Sequence, residues 1–154
     1  METGIKLKRA AIDDVGKFLK VENTITDTKT FSISADKEKA RKEAAEDIIN
    51  HFVYLIEKDG KIAGTISYEL KNKNHAYLFG VVVIPELQRQ GIAREAVKII
   101  LEMLKGVKLI DLVTHPENKK AIGLYTSLGF KKVGKQKENY FGDGEPRIKM
   151  VLKK

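Results

Sequence analysis

Val81-Val82-Val83-Ile84-Pro85-Glu86-Leu87-Gln88-Arg89-Gln90-Gly91-Ile92-Ala93 is the stretch on which the fold turns. The β-branched run Val81 to Ile84 predicts a buried strand, and Pro85 ends it because proline has no N–H for a ladder. Gly91 and Ala93 then open a helix that runs to about Lys105. Its apolar side carries Ile92, Ala96, Val97, Ile100, Met103 and Leu104. A helix start of this kind presents free N–H groups and a positive dipole end to an anion, and glycine lets a phosphate approach the backbone. Arg89 and Arg94 add positive charge. Glycine at such a turn is equally well explained by packing.

Upstream of this segment, Ile5, Leu7 and Arg9 alternate with lysines and predict a first strand. Asp13 and Asp14 open a helix carrying Val15, Phe18 and Leu19. Glu22 to Ser34 reads as a polar loop of functional length. Ser34 or Asp36 can cap a second helix that ends near Ile49. His51 to Lys58 and Lys61 to Leu70 form two strands around the hairpin turn Asp59-Gly60. The second of these places Ile62, Gly64, Ile66, Tyr68 and Leu70 on one face. A third strand, His75 to Ile84, completes an antiparallel meander.

Downstream, Lys108 to Thr114 reads as a strand and Pro116 to Leu128 as a helix with Ala121, Leu124, Tyr125 and Leu128 on one side. Gly129 stops it. Phe130 to Asn139 and Arg147 to Leu152 close the chain as two strands around Gly142-Asp143-Gly144. The order β-α-α-β-β-β-α-β-α-β-β predicts an α/β (α+β) mixed sheet, mostly antiparallel, with helices on its faces, as one domain over 1–154. No GxGxxG follows a strand and no GK[ST] follows the glycine loop, which disfavours a dinucleotide fold and a P-loop.

The composition is that of a globular protein, with 42% hydrophobic and 32% charged residues among 154. There is no cysteine, so acyl transfer through a thiol on the protein is excluded. No apolar run is long enough to cross a bilayer, and the chain reads as soluble and cytoplasmic, with no membrane partner. The net charge of +8 is spread along the chain with little arginine. Nucleic acid is disfavoured on that ground, and a solvated lysine surface with an anionic ligand is the simpler account. No histidine spacing fits a metal site, and none is expected. The sequence is compatible with a monomer or a homodimer.

A second segment, Asn118-Lys119-Lys120-Ala121-Ile122-Gly123-Leu124-Tyr125 with Leu128-Gly129-Phe130, reads by itself as a capped amphipathic helix. Together the two segments resemble the GNAT superfamily of N-acetyltransferases. Gln88 to Ala93 is similar to its Q/R-x-x-G-x-G/A loop, and Asn118 to Phe130 to its N-x-x-A-x-x-L-Y-x-x-x-G-F signature. The resemblance implies acetyl-CoA as acetyl donor and an amine as acceptor. It implies that Gln88, Arg89, Gln90, Gly91, Ile92, Ala93 and Arg94 hold the pyrophosphate. It implies that Val81, Val82 and Val83 pair with the pantetheine arm, beside a strand bulge where the Val83 backbone N–H polarises the thioester. Asn118 contacts the arm, and Tyr125 serves the departing thiolate.

The C-terminal Asn139-Tyr140-Phe141-Gly142-Asp143-Gly144-Glu145 is similar to the ending of protein N-terminal acetyltransferases of the ribosomal-protein type, which makes Tyr140 and Phe141 candidates for holding a peptide acceptor. A β-hairpin with packed aromatics explains them equally. Where that type carries a catalytic glutamate, this chain has Val113, which cannot act as a base. Asp111, Glu22 and Glu69 are the candidate substitutes, each more often a plain surface carboxylate, and a base acting through water is the other option. His115 reads as a turn residue. A peptide or protein N-terminal amine is the first acceptor expectation and a small amine such as a polyamine, amino acid or aminoglycoside the second. A cationic small acceptor requires acidic residues around an opening, for which Glu22, Asp27, Glu69, Asp143 and Glu145 are available.

Overall fold

The computed structural model describes residues 4–24 and 36–154. Among these, seven strands form one sheet in the order β1-β2-β3-β4-β5-β7-β6. The strands are β1 (Ile5–Arg9), β2 (Phe52–Lys58), β3 (Lys61–Asn72), β4 (His75–Val83), β5 (Leu109–Thr114), β6 (Lys131–Lys137) and β7 (Arg147–Lys153). The helices are α1 (Val15–Glu22), α2 (Lys37–Asn50), α3 (Ile92–Met103) and α4 (Lys119–Ser127). All neighbouring strands are antiparallel except β4 and β5. The mixed, mostly antiparallel sheet read from the sequence is the sheet observed.

Strand alternation sorts the two cores. Val53 and Leu55 of β2 face α1 and α2, where they pack with Val15, Phe18, Ala44 and Ile48. Tyr54 and Ile56 face the opposite way, toward α3 and α4, with Ile92, Val97, Ile100, Tyr125 and Phe130. One expectation is corrected here. Register slips between Ile56 and Glu57, so that Ala63 of β3 is bulged, and Ile62 turns to the α1–α2 side while Ile66 and Tyr68 join the other core. A bulge adds one residue and so reverses the facing of those before it.

Local capping follows the chemistry of the sequence. Asp36 caps α2, accepting from the N–H groups of Glu38 and Lys39 at 3.0 and 3.2 Å. Ser34, the other candidate, and Asp27 lie outside the described residues, as does the rest of the polar loop beyond Thr24. The last core helix starts at Lys119 rather than Pro116. Asn118 is its N-cap, and its Oδ1 accepts from the Ala121 N–H at 3.2 Å.

The relationship that matters for function is between β4 and β5. They pair only from His75–Leu109 to Tyr77–Asp111. β5 then stays with β7 as far as Thr114, while β4 continues to Val83 along β3. From Leu78 onward the far edge of β4 therefore opens onto a gap in the sheet.

Candidate active site

A bulge marks where that gap begins. Ser67 pairs with Gly80 and Tyr68 with Leu78, so Phe79 is the extra residue, and Gly80 takes φ 135°. The Ile84 amide donates to the Ala63 carbonyl at 2.8 Å. With Val82 opposite Thr65 and Val83 opposite Gly64, antiparallel alternation turns the Val82 amide toward β3 and the Val81 and Val83 amides toward the gap. The Val83 carbonyl faces the gap as well, where the Gln88 side chain donates to it at 3.0 Å. β3 is held close here, for a Cβ on Gly64 would sit 2.0 Å from the Val82 carbonyl oxygen.

The loop after β4 takes left-handed backbone at Arg89 (φ 66°) and at Gly91 (φ 77°), the N-cap of α3. Nothing lies within 4 Å of a Cβ built on Gly91, so glycine serves the backbone angle and not a close contact. Left-handed residues at a helix start turn successive N–H groups toward one concavity, and the first turn of α3 adds its own unpaired donors. The arrangement fits a phosphate group.

Gap, loop and helix start enclose a cavity of about 620 Å³. Of the residues expected there, Val81, Val83, Gln88, Arg89, Gly91, Ile92, Ala93, Arg94, Asn118 and Tyr125 line it. Val82 and Gln90 are not among its walls, Val82 because its parity turns it to the α1–α2 face. Phe79, Gly80, Val113 and Lys120 also line it and were missed. Gly80 was the available signal, since glycine inside an apolar strand marks a bulge. Arg94 is partly committed, donating to the Ser127 hydroxyl across α3 and α4. The bulge lies at Phe79, well before Val83, and the first gap-facing amide after it is that of Val81.

Tyr125 is 4% exposed and packs edge-on to Phe130 with centroids 5.5 Å apart. Burial, with Tyr77 nearby, pushes its phenol above the ordinary range, so the group holds its proton at any physiological pH. It can donate a hydrogen bond, and full transfer to a thiolate of reference pKa about 8.5 is uphill.

Two further cavities adjoin this one, and Phe79 lines all three. The second, about 190 Å³, lies on the α1–α2 side and is walled by Phe18, Leu19, Glu22, Glu43, Asp47 and His51 among others. The third, about 370 Å³, is walled by Glu69, Tyr77, Val113, Tyr140, Phe141 and Arg147 among others. Tyr140 and Phe141 meet edge-on at 4.8 Å, and the Arg147 guanidinium lies 5.3 Å from the Phe141 ring.

The three candidate bases separate. Asp111 is 5% exposed and lies between His75 at 2.8 Å and Lys149 at 3.3 Å, lining none of these cavities. Glu69 borders the third cavity and pairs with Lys71 at 3.2 Å. Glu22 borders the second and accepts from the Thr65 hydroxyl at 2.7 Å. Burial pushes the Glu22 carboxyl up to about 7, Asp47 adds to the rise, and the Thr65 hydroxyl opposes it. Of the other acidic residues considered for an opening, Asp143 pairs with Arg147 and Glu145 with His115. His115 is more than a turn residue. It is 2% exposed, its Nδ1 accepts from the Glu117 N–H at 3.0 Å, and its Nε2 lies 2.7 Å from Glu145.

Comparison with known proteins gives the same architecture. The family model described as "Acetyltransferase (GNAT) family" matches residues 18–130. The chain is similar to spermidine N(1)-acetyltransferase of Escherichia coli K12, 34% identical over 64% of this chain and 56% of that protein. It is also similar to the E. coli K12 [ribosomal protein bS18]-alanine N-acetyltransferase, 35% identical over 51% of this chain and 54% of that protein. The chain thus spans about half the length of these curated relatives. In structure it is similar to the ribosomal-protein-S18-alanine N-acetyltransferase of E. coli, with TM-score 0.79 and 24% identity over 97% of this chain and 93% of that one.

Proposed function

Because the chain belongs to the GNAT acetyltransferase family, we propose that it transfers an acetyl group from acetyl-CoA directly to a primary amine, both substrates being bound together. The observation that carries this reading is the open edge of β4 beside the phosphate-fitting loop at Arg89 to Gly91, with Tyr125 on the wall of the same cavity. Acetyl-CoA supplies a thioester whose carbonyl carbon is electrophilic.

The residues of this chain divide the remaining tasks. The Arg89 to Arg94 backbone and Lys120 hold phosphate, and the Val83 edge pairs with an extended amide chain. The Val81 amide, next to the bulge, is the donor that stabilises negative charge on the carbonyl oxygen, in place of the Val83 amide expected from sequence. Asn118 keeps its amide N–H groups for the ligand while its oxygen caps α4. Tyr125 donates a hydrogen bond to the sulfur as the C–S bond breaks. The amine nitrogen forms the new N–C bond after losing a proton to a carboxylate. With no cysteine in the chain, a thioester on the protein has no place in the reaction.

Thiol release from acetyl-CoA, measured against peptides, polyamines, amino acids and aminoglycosides, tests the reading. Turnover on one amine class, together with saturable acetyl-CoA binding by calorimetry, is the expected result. No turnover on any class and no saturable binding would sink it.

A further inference from the structure

Resting on that acetyltransferase reading, we infer that the cavity beneath α1 and α2 is the acceptor site for a flexible aliphatic amine carrying a second positive charge. Glu43 and Asp47 hold the distant ammonium, and Glu22 takes the proton from the nitrogen that is acetylated.

The chain carries a net charge of +8, yet among the described residues this cavity has three carboxyl groups and neither lysine nor arginine on its walls. A cleft of reversed sign concentrates cations. Two of these carboxyl groups also sit there at a cost. Burial raises Asp47, with Glu43 and Glu46 adding to it and His51 opposing. Burial raises Glu22 further. A bound ammonium lowers that cost directly, because an opposite charge within a few ångströms favours the ionised carboxylate.

Shape and position agree. Phe18, Leu19, Ala44 and Val53 supply apolar wall for methylene groups, and about 190 Å³ suits a short chain better than a folded peptide end. Phe79 is a wall shared with the donor cavity, so an amine there approaches the bulge from the face opposite α3. His51 lies against Phe79 with centroids 4.9 Å apart, and its Nδ1 is buried without a hydrogen-bond partner among the described residues. A metal ion is the poorer occupant. Among the described residues no three carboxylates, histidines or cysteines converge to hold one.

The proton balance is simple. Glu22 in its carboxylate form accepts one proton from the ammonium of the acceptor. The neutral amine then attacks the thioester carbon, and the thiol leaves with the second nitrogen-bound proton. Among the described residues, the groups facing Glu22 are Thr65 and Ser67 of β3, Glu43 and Asp47 of α2, and His51 just past its end.

The test compares 1,4-diaminobutane, butylamine and an alanine-terminated peptide in thiol release, with calorimetric binding of the diamine alongside. We expect kcat/KM at least tenfold higher for the diamine than for butylamine. Glu43→Gln combined with Asp47→Asn raises the diamine KM at least tenfold more than the butylamine KM and weakens calorimetric binding equally. Glu22→Gln lowers kcat at least 100-fold and removes the rise in kcat/KM between pH 6 and 8, while Glu22→Asp restores part of it. Melting curves certify that each variant is folded. A diamine no better than butylamine, or a diamine KM and Kd untouched by the double substitution, overturns the inference. Preference for the peptide, with its KM raised by Phe141→Ala, overturns it in favour of the aromatic cavity. Failure of all three amines with intact diamine binding would instead count against the acetyltransferase reading.

Discussion

The Thr65 hydroxyl donates a 2.7 Å hydrogen bond to Glu22 Oε1, joining the central strand β3 to the end of α1 across 43 positions of sequence. Thr65 is 2% exposed and pairs with Val82, so it fixes the Glu22 carboxyl at the level of the open β4 edge. The same bond holds that carboxyl in a buried place, and the first prediction follows from this.

Glu22 titrates at about 7 in the folded chain and near 4.5 when exposed. Between these values the folded state holds the extra proton, so stability is complete below pH 4.5 and is lost as pH rises through 7. The loss is at most about 3 kcal/mol, less where solvent screens the group. Glu22→Gln cannot ionise. Its urea midpoint therefore gains on the parent between pH 5 and pH 8, and a constant difference across that range would exclude the effect.

Tyr125→Phe removes the hydrogen-bond donor and keeps the ring that packs on Phe130. We expect kcat to fall about 10²-fold or more, with acetyl-CoA affinity within about threefold. Calorimetry and single-turnover thiol release separate the two. An unchanged kcat would remove Tyr125 from the chemistry.

Asp111→Asn removes the carboxylate that contacts His75 and pairs with Lys149 at a site 5% exposed. The variant should lose about 1–3 kcal/mol of stability, the usual cost of a buried polar partner. Its kcat should stay within about threefold of the parent. A kcat loss of 100-fold with unchanged melting would make Asp111 the base after all.

Two glycines should respond differently to alanine. Gly91→Ala meets no neighbour and pays only for left-handed backbone, about 1–2 kcal/mol. Gly64→Ala drives a Cβ to 2.0 Å from the Val82 carbonyl, where backbone and not a side-chain tip must move. We expect it to cost more than Gly91→Ala in chemical denaturation and to weaken acetyl-CoA binding by shifting the β4 edge. Equal losses would contradict the close β3–β4 approach.

Among the described residues, no helix is long and apolar enough to cross a membrane. The features legible in the sequence depended on neighbours in sequence. Pro85 ends β4, Gly91 opens α3, Asn118 caps α4 and Tyr125 follows on its apolar side, all within a few turns of chain. Local sterics and local hydrogen bonds decide such features, and so the order of elements along the chain and most residues lining the largest of the three cavities described could be read in advance. Only the tertiary structure decided which of the three carboxylates Glu22, Glu69 and Asp111 reach a cavity wall. Asp111 is spent on His75, 36 residues away, whereas Glu69 borders the third cavity and Glu22 is held by Thr65 at the wall of the second. Register fixed the rest, since the single extra residue at Phe79 reorders the edge of β4 and makes one ring common to three cavities. Chain spacing encodes neither, because burial and cross-strand pairing are set by which distant segments fold against one another.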